Sequence, residues 1–203
     1  MTTAQDLLIV TLDSAADRPA EQGDVSLALA GAELLDLADA RAVTLDGDHI
    51  VPGPQHDLGE RLLNEAVSAL VRQAPYESVE EWLWRRGRGL HAAYLAALET
   101  EGDVTRPRRR WSPLRSERTA VAVPDSPARS HAAERWASGE PVLAGLATAV
   151  GIRDEPSEDL ADLTDDAVIT VLAAVSDAVT ELAAVRQRRS IEDAAFDNIW
   201  RGP

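Results

Sequence analysis

Between Asp165 and Arg188 the sequence sets Val168, Val171, Leu172, Val175, Val179, Leu182 and Val185 on one stripe of helical period. A helix that long with a continuous apolar stripe must bury it against other helices, which suits the central helix of a bundle. The same periodicity predicts helices from Val25 to about Ala42 (Leu27, Leu34, Leu35, Leu37, Ala38), over Leu58–Gln73 (Leu62, Leu63, Ala66, Leu70), and from Leu90 to a stop at Gly102. Further helices are expected over Ala128–Ala137 and Pro141–Val150, with a turn at Ser157–Leu160 and a shorter helical stretch at Asp6–Leu12. Ser78-Val79-Glu80-Glu81 fits a capping box and starts a helix that carries Trp82, Leu83 and Trp84. Two places read differently. Asp46-Gly47 lies between the alternating runs Ala42–Leu45 and Asp48–Val51, the signature of a tight hairpin. Thr105–Ser126 reads as a second, longer hairpin that ends in the strand-like Thr119–Val123. The expected fold is therefore mainly α: a single-domain helical bundle over residues 1–203 with two short β-hairpins, near 42–51 and 105–123. The 203 residues are 45% hydrophobic, enough to bury a real core, and neither a repeat nor a long linker divides them.

Charge narrows the partners. Twenty basic residues face 35 acidic ones, for a net charge of −15, so a surface that grips nucleic acid or lipid all over is excluded. The distribution is uneven. Residues 104–118 hold six arginines and one glutamate, and among them stand Arg108, Arg109, Arg110, Trp111, Leu114 and Arg115. An acidic body with one arginine-rich, tryptophan-bearing projection presents a preferred face to polyanions. The competing reading is that these arginines pair with the body's own acids.

Catalytic patterns are missing. There is no cysteine, which excludes thiol chemistry, thiolate metal sites and disulfides. His49, His56, His91 and His131 are scattered without metal-ligand spacing, so no metal or other cofactor is expected. Gly87-Arg88-Gly89 lacks the strand and third glycine of a phosphate loop, and no Gly-x-Ser-x-Gly elbow is present. Acid pairs such as Asp165-Asp166 sit where helices begin, a position the helix dipole already favours. Binding fits this sequence better than turnover. Ile169–Val185 is interrupted by Ser176, Asp177 and Glu181, which argues against a membrane span, and Met1–Val10 lacks the basic start of a signal peptide. A cytoplasmic protein is the expectation, and the arginine-only, alanine-rich composition points to GC-rich bacterial coding.

Segment order then carries a resemblance. Leu-Leu-Ile-Val-Thr-Leu-Asp (Leu7–Asp13), Leu-Ala-Gly-Ala-Glu-Leu-Leu-Asp-Leu (Leu29–Leu37) leading into a short hairpin, a helix ending Leu-Glu-Thr-Glu-Gly-Asp-Val (Leu98–Val104), and a basic hairpin before a helical C-terminal half resemble the Golgi phosphoprotein 3 family in its compact bacterial form. The resemblance implies a mostly helical single domain and peripheral membrane association. In the eukaryotic members it implies recognition of phosphatidylinositol 4-phosphate, with a protruding hairpin in self-association and membrane contact. Carried over residue by residue, the family's two arginines at i and i+3 fall on Arg88 and His91. Its first-loop tryptophan falls near Glu21 and its arginine in the second helix on Ala30, so an aromatic wall and a charge are replaced. Arg85 and Arg86 stand close enough in sequence to substitute, or else form a solvated turn.

The expected function is a non-enzymatic peripheral membrane protein at the inner face of the membrane. Its partners would be an anionic phospholipid headgroup, held by Arg88, His91, Arg85 and Arg86, and a second copy of itself in a homo-oligomer; no nucleic acid is expected. Trp82 reads as core, Trp84 as pocket lining or packing, and Trp111 as an interfacial anchor or dimer contact. Two alternatives stay open. One is a winged-helix transcription regulator, although its recognition helix Val25–Ala40 carries Glu33, Asp36 and Asp39, the wrong sign for a phosphate backbone. The other is a protein-interaction module that oligomerises through its hairpin.

Overall fold

The computed structural model describes residues 1–15, 18–105, 121–154 and 165–200, with side chains as far as Asp193. Among these residues are eight helices and one two-stranded sheet, the mainly α architecture that the periodicity predicts. α1 (Thr3–Ser14) is longer than expected because Thr2 and Gln5 form a complete capping box ahead of the apolar run. α2 (Gln22–Asp39) lies antiparallel to it. Near the end of α2, Asp36 accepts from the N–H groups of Thr3 and Ala4, at 3.0 and 3.3 Å, and so satisfies two of α1's orphan donors.

β1 (Val43–Asp46) and β2 (His49–Pro52) pair antiparallel around Gly47, whose φ of 62° is the left-handed geometry the turn demands. The hairpin is tied to the start of α4 (Val79–Arg86) by Ile50 N–H donating to Glu77 O and Val79 N–H donating to Asp48 O. α3 (Arg61–Ala69) is shorter than its apolar periodicity predicts: Glu60 is its N-cap, and Gly59, at φ 72°, turns the chain just before it. α4 opens with the capping box at Ser78, both reciprocal bonds formed. α5 (Leu90–Glu101) ends at Gly102, left-handed at φ 86°. α6 (Pro127–Ala137), α7 (Pro141–Ala149) and α8 (Asp166–Trp200) complete the set; the turn expected at Ser157–Leu160 lies outside the described residues.

The centre of the bundle is α2, not α8. Leu27, Ala28, Leu29, Ala30, Ala32, Leu34 and Leu37 are all buried, so α2 is enclosed on every side, with α1, α3, α4, α5, α7 and α8 against it. An apolar surface all round marks an interior helix, whereas the single stripe of α8 (Val171, Val175, Ala178) marks a flanking one. A helix enclosed in this way cannot enter a DNA groove, which removes the physical basis of the winged-helix reading. α2 and α8 approach most closely at Gly31, where an added Cβ would sit 2.4 Å from Val175 Cγ2.

One expectation needs revision. Within Asp166–Asp193 of α8 the most apolar stretch of 18 residues reaches a mean hydropathy of 1.8, long and apolar enough by composition to cross a bilayer despite Ser176, Asp177 and Glu181. In the fold, this helix packs its stripe against α2, α4 and α7.

Candidate functional site

The four residues Arg85, Arg86, Arg88 and His91 lie along the turn between α4 and α5, and its shape follows from two glycines. Gly87 closes α4 pressed onto α2: a Cβ there would meet Leu83 O at 2.6 Å and Ser26 O at 3.2 Å. Gly89 is left-handed at φ 72° and starts α5. The residue between them, Arg88, is set on the crest of the turn.

The structure separates the four residues into two kinds. Arg85 donates through Nε and Nη2 to the two carboxylate oxygens of buried Glu77, both at 2.6 Å, and to Ala69 O, while its guanidinium lies 5.3 Å from the Trp82 ring centre. Arg86 forms a second fork on Glu33, at 2.7 and 2.8 Å, and also donates to Leu62 O. Glu33 is fully buried and accepts a third bond from Tyr94 Oη at 3.0 Å. Burial pushes the Glu33 carboxyl above its ordinary range, and Arg86 and Tyr94 pull it only part of the way back. For Tyr94, burial and then the Glu33 charge raise the phenol far above its usual value, so it stays a donor. Both guanidinium groups are thus matched by internal carboxylates, and they hold α4 to α2 and to the segment before it.

Arg88 is different. It is exposed and makes no ion pair or hydrogen bond among the described residues. His91, three residues on and half-exposed, is fixed through its backbone N–H, which donates to Ser26 Oγ at 3.2 Å. Arg88 and His91 lie at the N-terminal end of α5, where the helix dipole is positive and favours an anion. Over residues 4–198, nearly the whole chain, the sequence matches the Golgi phosphoprotein 3 (GPP34) family. The chain belongs to that family. No curated protein matches it.

In this Golgi phosphoprotein 3 family member, the two positions that depart from the expected pattern have clear surroundings. Glu21 is the exposed N-cap of α2 and makes no side-chain capping bond. Ala30 is fully buried, with its carbonyl accepting from Trp82 Nε1 at 3.0 Å, so the second helix offers no cation there. Trp82 is core, as its capping-box helix implies, and Trp84 is half-buried against the same cluster. Arg108, Arg109, Arg110, Trp111, Leu114 and Arg115 lie outside the described residues. The flanks of the segment that carries them are joined: Thr105 and Ala122 exchange both backbone hydrogen bonds, at 2.9 and 3.0 Å, in antiparallel fashion.

Sequence reading missed the acids that neutralise arginines inside the molecule. Asp6, fully buried, accepts from Arg135 Nη1 at 2.7 Å and lies 3.0 Å from His131 Nδ1, and Arg135 reaches on to Glu140 at 2.6 Å. Asp24 binds Arg186 of α8. The available signal was an acid inside an otherwise apolar helical stripe, as with Asp6 before Leu7–Val10 and Glu33 before Leu34-Leu35. Among the described residues no group of three or more acidic or histidine side chains could hold a metal ion.

Proposed function

We propose that this member of the Golgi phosphoprotein 3 family is a non-enzymatic peripheral membrane protein that recognises a phosphorylated lipid headgroup at the α4–α5 turn. Arg88 supplies a guanidinium to the phosphate, His91 a second donor one turn away, and the first turn of α5 a positive dipole. The arginine-rich segment with Trp111 is a second contact with the inner face of the membrane, and a homo-oligomer would present several such turns to one bilayer. The observation that carries the reading is the contrast along one turn. In a chain of net charge −15, Arg85 and Arg86 are each forked onto an internal carboxylate, while Arg88 between its two glycines is given to solvent.

Liposome flotation tests it. Full-length protein should float with vesicles containing phosphatidylinositol 4-phosphate or phosphatidylglycerol at low salt, and less as salt rises, since exposed charges are screened over about 8 Å at physiological ionic strength. Arg88→Ala removes one charge-assisted contact, of about 1.5–3 kcal/mol, and should weaken binding by roughly ten- to a hundredfold with no change in melting. Equal binding by parent and variant would defeat the reading.

A further inference from the structure

Two ion-paired points hold α6 against α1. At one, buried Asp6 accepts from Arg135 Nη1; at the other, Asp13 Oδ2 accepts from Arg129 Nε at 3.0 Å. Beside Asp13 these helices and the turn after α7 line a cleft of about 330 Å³, near the lower end of the volumes that hold small organic molecules. Two of its walls follow from helical spacing. Ile9 and Asp13, and Val10 and Ser14, stand four residues apart along α1, and Ala133 and Trp136 stand one turn apart on α6. The third is made by the backbone. Gly151, left-handed at φ 77°, follows α7 and turns the chain, so that Ile152 N–H donates to Ala147 O at 3.0 Å and the residue lines the cleft.

Ile9, Val10 and Ile152 are buried, and the Trp136 indole is half-buried beside them. The cations around this apolar lining are of two kinds. Arg18 is forked onto Asp154, and Arg129 is shared between Asp13 and exposed Asp125. Arg153 has no carboxylate partner among the described residues; its guanidinium lies over the Trp136 ring, 5.4 Å from the centre. An aromatic ring offsets only part of a cation's charge and occupies none of its N–H donors. The Arg153 guanidinium therefore keeps a fork to offer an oxyanion at the edge of the cleft.

We infer that this cleft binds a small apolar carboxylic acid, its hydrocarbon body on Ile9, Val10, Ile152 and the Trp136 indole and its carboxylate on Arg153. The charge decides the class, because an alcohol or amine of the same shape brings no anion to that guanidinium. The volume decides the size, since it admits a small molecule and no folded partner. No lining residue belongs to the α4–α5 turn, so the site stands apart from the headgroup reading.

Titration calorimetry of the full chain with phenylacetate and with octanoate tests this, against phenylethanol and octanol as uncharged counterparts of the same length. At least one acid should bind and shift the Trp136 indole N–H resonance, assigned by its loss in Trp136→Phe. The matching alcohol should bind more weakly by roughly tenfold or more, and Arg153→Gln should weaken the acid by roughly ten- to a hundredfold while leaving the alcohol unchanged. Ala133→Phe, a change at an exposed position, should fill the mouth of the cleft and block both with no change in melting. Failure of both acids to bind at millimolar concentration would overturn the inference. So would an alcohol that binds as tightly as its acid, an Arg153→Gln variant that holds the acid like the parent, or a bound acid that leaves the Trp136 resonance in place.

Discussion

Replacing Arg86 with methionine separates a structural guanidinium from a ligand-binding one. The change removes two charge-assisted bonds to Glu33 and one to Leu62 O, and leaves a fully buried carboxylate with Tyr94 Oη as its remaining partner. Breaking a buried ion pair in this way costs about 3–5 kcal/mol. For a chain of this size 1 kcal/mol moves the melting temperature by roughly 2–4 °C, so Arg86→Met should melt about 6–20 °C below the parent. Adding Glu33→Leu removes the stranded charge, and the double variant should recover most of the loss, because a buried pair exchanged for packed apolar side chains is often neutral. The assay is thermal and urea unfolding of parent, both single variants and the double variant, with vesicle flotation alongside. A single variant that melts within about 1 kcal/mol of the parent yet floats poorly would refute the reasoning, since Arg86 would then act on the ligand and not on Glu33.

Two further outcomes follow from the packing and the charges. Gly31→Ala puts a methyl 2.4 Å from Val175 Cγ2, a buried β-branched side chain with little freedom to move, so it should destabilise by about 1–3 kcal/mol in urea unfolding; an unchanged midpoint would place α2 and α8 farther apart than described. Asp57 accepts from Gly59 N–H at 2.9 Å and Asn64 Nδ2 at 2.6 Å, which holds its carboxyl below the ordinary value. Folding therefore favours its ionised form, and its contribution is present above about pH 3.9 and lost as pH falls through the lower folded midpoint. A carboxyl-carbon NMR titration checks this, and a midpoint at or above the unfolded value would contradict it.

Much of this protein follows from local chemistry. Capping at Ser78, the Asp46-Gly47 turn and the helical spacing of Leu62, Leu63 and Ala66 act over a few residues, so the chain announces them without its fold. Segment order likewise pointed to the family that the match over residues 4–198 establishes. Tertiary structure decided what depends on distant partners. The periodicity of α8 reads as a central helix, yet that place belongs to α2, because only assembly shows which helix is covered on every side. Arg85, Arg86 and Arg88 are the same residue type within four positions of sequence. Two of them meet Glu77 and Glu33, eight and 53 residues away, and the third meets solvent. A guanidinium's role depends on whether a carboxylate is brought within hydrogen-bond reach in a desolvated place, and only the packed chain brings it there.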